Sequence, residues 1–532
     1  MPAPESNLIT VLLRWTMSGQ NVTRAGRRWA VSLAALSLAV VAAGCSSSGA
    51  AGTSTSATTS RSVARTPTVT GPVTGGKGQP ALLDLTLKPA TYGYSVDEYF
   101  LQGTATAYQP VGPLGVDGKW QVKESTTAPY KTRMVMWKPQ NPADFDGTVF
   151  VEWLNVSAGF DVPFDWFTDH NYVLDEHAAW IGVSAQAAGI VGGPSIMSSA
   201  AAPPGGLKTT DPVRYASLSH PGDGYSYDIF SQAGLAVRGD GKGVNPLAGY
   251  QVKRVIADGE SQSAFRLTSY VDAVQPLAKV YDGFFIHSRG GDAASLAING
   301  ESRGDRTIPN GVKIRDDVDV PVMMVQTESD VRWLGYASAT QPDSDNFRLW
   351  EIAGGSHVDA YNGLGDDGDG AAEAALLGPT KLTHGPLACA STINAGVQQP
   401  VVVAALAGLE KWVRDGTPPP SAARLELTGS GDNINIARDA HGIAVGGVRT
   451  PLVDVPVVRN TGEVNTGASP FCAAFGTSSA FDATTLAQLY PHGGSDYVAA
   501  FAKDADQTVK AGFWLASSAR NWKAAAAAVA FN

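Results

Sequence analysis

An α/β fold, with a mostly parallel central sheet and helices on both faces, is what this sequence predicts. The first sign is a series of short apolar runs at residues 148–153, 178–184, 252–257, 283–286, 320–326 and 347–352, separated by helix-length segments. Continuous apolar runs of strand length mark strands buried on both faces, which is the situation of a parallel strand between two helical layers. The second sign is that helical patterns, such as 227–237 and 263–274, fall between these runs, giving the strand–helix alternation of a parallel sheet. The third is the stretch 81–145, where Tyr94-Ser95-Val96-Asp97-Glu98-Tyr99-Phe100 and Lys131-Thr132-Arg133-Met134-Val135-Met136-Trp137 alternate apolar and polar residues. That period of two predicts half-buried antiparallel strands leading into the parallel series.

Composition narrows the function classes. The 532 residues are 44 % hydrophobic and 17 % charged, apolar enough to fold around a core. A formal charge of −10 lacks the basic stripe that phosphate recognition needs, so nucleic acid is not the expected partner. Three cysteines are too few for a disulfide scaffold or a four-thiolate zinc site. No Walker loop, His-Glu-x-x-His helix or dinucleotide fingerprint occurs, so no metal or organic cofactor is expected. Asp366-Asp367-Gly368-Asp369-Gly370 lacks the distal glutamate of a calcium loop and reads as a solvated turn.

Residues 1–44 have the parts of an export signal. Arg24, Arg27 and Arg28 precede an apolar run from Trp29 to Ala43, shorter than the about 20 residues a membrane span requires. Met17 is a possible alternative start. The run ends in Ala42-Ala43-Gly44-Cys45, which resembles a bacterial lipobox, with Cys45 as the lipid acceptor and Ala42 where leucine is commoner. Residues 45–80 are almost all Ser, Thr, Ala, Gly and Pro, the composition of a disordered tether. These features predict an exported protein held at the extracytoplasmic face of a membrane by its lipid. The alternative is an ordinary signal peptide and a secreted product. In an oxidising compartment Cys389 and Cys472 are candidates for a disulfide.

The folded part is expected to comprise a core at 81–415 and a C-terminal extension at 416–532 packed on it. Residues 401–413 form an amphipathic helix stopped by Gly416 and Pro418-Pro419-Pro420. Strand-like stretches follow at 424–427 and 443–457, then helical patterns at 482–489 and 496–521.

The run 252–257 leads into Asp258-Gly259-Glu260-Ser261-Gln262-Ser263-Ala264, with a helix directly after. A serine hydroxyl becomes a useful nucleophile only where it projects from the sheet and meets a base. A strand–sharp turn–helix elbow projects it, and demands small residues two before and two after the serine; Gly259 and Ser263 meet that demand. The same spacing at Gly52-Thr53-Ser54-Thr55-Ser56 lacks both strand and helix. The bland alternative for Ser261 is a helix N-cap.

In sheet hydrolases built on such an elbow the acid and the histidine follow the serine, on loops at strand C-terminal ends. The run 320–326 ends in Thr327-Glu328-Ser329-Asp330, and the run 347–352 in Ala353-Gly354-Gly355-Ser356-His357. His357 is therefore the expected base. Asp330 is favoured over Glu328 as the acid, the other serving to cap or brace its loop. His287, at the end of another strand, is a competing base better read as bonded in the pocket wall. Oxyanion donors are expected from the N–H of Gln262 and from the loop after 148–153, at Asn155, Val156 or Ser157.

Tyr225-Ser226-Tyr227-Asp228-Ile229-Phe230-Ser231-Gln232-Ala233-Gly234, the elbow heptapeptide, Gln326-Thr327-Glu328-Ser329-Asp330, Phe347-Arg348-Leu349-Trp350-Glu351 and Trp412-Val413-Arg414-Asp415-Gly416-Thr417-Pro418-Pro419 resemble the bacterial alpha/beta hydrolase domain-containing family from about residue 81 to the C-terminus. The resemblance implies an α/β-hydrolase fold and serine-hydrolase chemistry, without a substrate and without deciding between Glu328 and Asp330. Together with the residues, it leads to the expectation of an enzyme that cleaves a carboxylic ester or related acyl bond of a small molecule. The alternatives are a peptidase or amidase, and a cell-surface binding protein that keeps the fold without turnover.

Overall fold

The computed structural model describes residues 64–83, 87–195, 205–298, 307–364 and 382–529. The export signal, Cys45 and the acidic turn at 366–370 lie outside them. Strands β1 (Thr68–Thr70), β2 (Tyr94–Pro110), β3 (Val122–Pro139), β4 (Thr148–Trp153), β5 (Ala179–Val183), β6 (Lys242–Gly243), β7 (Arg254–Glu260), β8 (Gly283–His287), β9 (Val322–Thr327) and β10 (Phe347–Ile352) form one ten-stranded sheet. Its order is β10-β9-β8-β7-β4-β5-β3-β2-β1-β6. The six strands from β10 to β5 are mutually parallel, and β3, β2 and β1 continue the sheet antiparallel.

Burial explains why these six runs read as continuous apolar sequence. Every residue of β4, β5, β7, β8 and β9 is buried, because helices cover both faces. Helix α1 (Phe164–Asp175) and α2 (Ser226–Val237) have all but a few residues buried. Beyond β7 comes α3 (Gln262–Ser269), where the predicted helix 263–274 changes to wider π turns at Tyr270–Val274. Pro276, two residues beyond, has no N–H to return to the Asp272 carbonyl, and the ladder slips to Gln275 N–H on Tyr270 O. Helices α4 (Glu328–Arg332) and α5 (Gln399–Asp415) follow. Chain direction across the sheet reverses at β4, which has β5 on one side and β7 on the other. Loops leaving their C-terminal ends diverge there and open a crevice, the general position of ligand sites in such sheets.

Three sequence expectations need correction. The tether does not extend to residue 80, because β1 pairs with β2 and β6. A three-residue strand next to the sheet's edge needs little apolar surface, and Val69 supplies it at 1 % exposure. Polar bonds order the residues that follow: Arg214 donates to the carbonyls of Val73 and Gly75, and Tyr215 accepts from Ala81 N–H. The strand-like reading of 443–457 yields isolated bridges and a short helical turn, Pro451–Asp454, started by its proline. Two small antiparallel pairs, β11 (Leu427–Thr428) with β12 (Asn435–Ile436) and β13 (Val458–Thr461) with β14 (Thr477–Ala480), lie beside it. The helix expected at 496–521 is two, α6 (Gly494–Ala511) and α7 (Ala516–Ala527). Gly512 at φ 86° reverses the chain, so that Phe513 packs edge-on against Trp350 and Trp514 stacks on Trp522.

The C-terminal residues share the core of the sheet. Leu425, Val448, Leu452, Tyr497, Phe501 and Trp522 belong to the same buried cluster as the sheet. Cys389 and Cys472 are bonded to each other inside a smaller apolar cluster that includes Val358, Ile393, Phe471 and Phe475. Among the described residues no helix is long and apolar enough to cross a membrane.

The disulfide closes a long loop, with 83 residues of separation, so replacing both cysteines by serine should cost about 2–4 kcal/mol. A urea melt checks this, and a midpoint unchanged from wild type contradicts it.

Candidate active site

The elbow begins with a backbone that most residues avoid. Ser261 sits at φ 57° and ψ −116°, a conformation that costs a non-glycine residue about 1–3 kcal/mol. Neighbouring elements hold it there. Its N–H donates to His287 O on β8 at 2.9 Å, and Asn155 Nδ2 donates to Glu260 O at 3.0 Å. The turn is so tight that a Cβ at Gly259 would stand 2.9 Å from Ser263 Cβ and 3.0 Å from Leu267 Cδ1. That is the physical reason for small residues on both sides of the serine.

The turned-out hydroxyl meets His357. Ser261 Oγ is 2.8 Å from His357 Nε2, and His357 Nδ1 is 2.7 Å from Asp330 Oδ1. A carboxylate only accepts, so Nδ1 carries the ring proton and Nε2 is left to accept from the hydroxyl. Asp330 is the third residue of α4 and closes a capping box with Thr327. Its Oδ2 accepts from both Thr327 N and Thr327 Oγ1 at 2.7 Å, while Oδ1 faces the histidine. The helix start thus aims the carboxylate.

Glu328 stands elsewhere and is corrected as a candidate acid. Its Oε1 accepts from Gly354 N at 2.6 Å, and its Oε2 from Gly462 N at 3.0 Å and Arg438 Nη2 at 2.8 Å. It braces the loop that carries His357, the alternative role its position allowed. His287 is fully buried with both ring nitrogens engaged, Nδ1 with Asp165 Oδ1 at 2.8 Å and Nε2 with Gln398 Oε1 at 3.2 Å. It supports the elbow through its carbonyl rather than serving Ser261 as base.

The loop after β4 separates the three oxyanion candidates. Asn155 N–H donates to Val162 O at 3.0 Å, so its backbone is spent in a bridge; this corrects Asn155 as a donor and makes it a brace of the elbow. Ser157 N–H is held by Asn155 Oδ1 at 2.7 Å. Val156 N–H faces Gln262 Oε1 at 3.4 Å, a long bond that an oxyanion can replace. Gln262, first residue of α3, has its own N–H at the helix N-terminus, where the dipole favours negative charge. Its side chain is steadied by Gln186 Oε1, which accepts from Gln262 Nε2 at 2.6 Å and from Trp153 Nε1 at 3.0 Å.

Sequence reading missed the carboxyl groups beneath the elbow. Glu152, Asp169, Asp258 and Glu260 are all buried. Burial, reinforced by neighbouring carboxylates, pushes each well above the ordinary carboxylate range. Three of the four, Glu152, Asp258 and Glu260, stand inside strands that are otherwise mostly apolar, β4 and β7, and that was the available signal.

The chain matches the family model described as "Alpha/beta hydrolase domain" over residues 69–524. No curated protein matches it. Solved structures similar in part include esterase Est22, at 11 % identity over 49 % of this chain and 72 % of that one, with a TM-score of 0.24. Methylesterase BT1017 shares 12 % identity over 55 % of this chain and 54 % of its own, with a TM-score of 0.27. An arylesterase shares 10 % identity over 42 % and 72 %, with a TM-score of 0.24. With a model match that spans nearly all of the described sheet and its C-terminal extension, the chain belongs to the alpha/beta hydrolase domain family.

Proposed function

We propose that the protein is a serine hydrolase that cleaves a carboxylic ester, or a related acyl bond, of a small molecule through an acyl-enzyme. The observation that carries this reading is the unbroken series from Ser261 Oγ to His357 to Asp330, at 2.8 and 2.7 Å. As Oγ attacks the acyl carbon its proton passes to Nε2, and Asp330 holds the resulting imidazolium by its Nδ1–H. The oxygen that becomes negative takes the N–H of Gln262 and that of Val156, displacing the Gln262 amide oxygen. His357 then gives its proton to the departing alkoxide as the bond to the leaving group breaks. Water attacks the acyl-serine by the same route in reverse, releasing the acid.

We further infer export and lipid attachment at Cys45, with bacterial origin following from the lipobox. The Cys389–Cys472 bond fits an oxidising compartment. Metabolic labelling with a fatty acid should mark the wild-type chain and not Cys45→Ala, and equal labelling of both would refute the anchor.

A fluorophosphonate probe should modify the wild-type protein and leave Ser261→Ala unmodified. Persistent labelling of the variant would remove the proposed nucleophile, and absence of labelling in both would favour a binding role. Asp330→Asn should lower kcat by about 10³–10⁴-fold through the wrong ring tautomer. Glu328→Gln should instead lower the melting temperature while costing far less in kcat. Equal losses of kcat in the two variants would refute the assignment of the acid.

A further inference from the structure

The side chain of Gln262 points an acceptor at a donor that acyl transfer needs. Its Oε1 takes the N–H of Val156 at 3.4 Å, although a primary amide can equally present its NH2 group. The neighbours fix which end faces the loop. Arg266, one turn along α3, donates from Nη2 to Asp223 Oδ2 at 3.1 Å. Burial opposes the charge on Asp223, but Arg266 outweighs it and holds the carboxyl below its ordinary range. That carboxylate only accepts: Oδ1 takes Ala187 N at 2.9 Å, and Oδ2 also takes Gln186 Nε2 at 2.7 Å. Gln186, 2 % exposed, must therefore turn its Oε1 the other way. There the indole N–H of Trp153 and the Nε2 of Gln262 meet it at 3.0 and 2.6 Å. With Nε2 on Gln186, Gln262 presents its oxygen to Val156.

We propose that the Gln262 side chain is the resting occupant of the oxyanion hole, that an incoming ester carbonyl must displace it, and that Gln186 and Asp223 are positioning residues that keep its oxygen turned inward. This rests on the serine-hydrolase reading above. While no substrate is bound, the amide oxygen satisfies a part-buried N–H. Only a fraction of the free enzyme then has the Val156 N–H open, and apparent affinity for any ester is reduced by that fraction. The long neutral bond yields readily, because a developing oxyanion makes a charge-assisted bond to the same N–H that is about twice as strong. No covalent bond to Gln262 forms or breaks; its amide oxygen leaves as the substrate oxygen arrives. The backbone N–H of the same residue stays at the start of α3, so one residue supplies a donor from its main chain and a competitor from its side chain.

Gln262→Ala removes the amide and keeps the backbone N–H. With p-nitrophenyl acetate its kcat/KM should rise about two- to fivefold, the size of one weak hydrogen bond, and the gain should lie in KM. Phenylboronic acid, which forms a tetrahedral adduct on a serine hydroxyl, should have its inhibition constant lowered by the same factor. Gln262→Met, similar in length and without the amide, should behave alike, and it carries the test if the alanine variant does not fold. A kcat/KM and an inhibition constant that stay at their wild-type values, or a kcat/KM that falls, would overturn the proposal and make the side chain a brace of the elbow. Fluorophosphonate labelling separates this test from the parent reading: wild type that is not labelled at Ser261 defeats the hydrolase reading itself, whereas normal labelling with no gain in kcat/KM defeats only the role of the Gln262 side chain.

Discussion

The site depends on one strained residue. At φ 57° Ser261 turns its hydroxyl out of the sheet and starts α3 in the same step. Such a conformation persists only where the surroundings over-determine it. Here the serine N–H is tied to β8 through His287 O, and the preceding carbonyl is tied to Asn155 in the loop after β4. Gly259 and Ser263 let the strand and helix pass within contact distance. Both neighbours of β7 in the sheet therefore hold the turn. Its position at the crevice beside β4 follows from strand order alone.

Around that turn the buried acids divide by their hydrogen-bond donors. Asp330 is met by three: Thr327 N, Thr327 Oγ1 and His357 Nδ1. Glu328 is met by two backbone N–H groups and a guanidinium. Asp258 has no hydrogen-bond partner on either carboxyl oxygen among the described residues, and Glu260 little better. A buried carboxylate without donors gives up its charge, and burial pushes Asp258 well above the ordinary carboxylate range. Asp330 orients the His357 ring, and Glu328 supports the loop that carries it.

The C-terminal extension is part of this arrangement. Gly462, which donates to Glu328, lies beyond β13, and Val358, next to His357, donates its N–H to Ala474 O at 3.0 Å. The Cys389–Cys472 bond joins the two segments that flank the histidine loop from behind. A residue more than a hundred positions from the serine thus helps to set the place of the base.

Local pattern settled much of this protein in advance. The runs 148–153 and 347–352 are strands with the predicted bounds, because a strand covered on both faces is drawn mostly from apolar residues. The elbow was legible because its geometry forbids large side chains at two fixed offsets. Other features required the fold. Thr327 and Glu328 each lie within three residues of Asp330, and only the capping box and Arg438, brought from the extension, separate the acid that meets His357 from the brace. The choice among Asn155, Val156 and Ser157 depended on Val162 and Gln262, and the break at Gly512 on the docking of Phe513 and Trp514. Periodicity reports what one segment buries, whereas which polar atoms find partners depends on segments far apart in the chain, and only the tertiary structure brings those together.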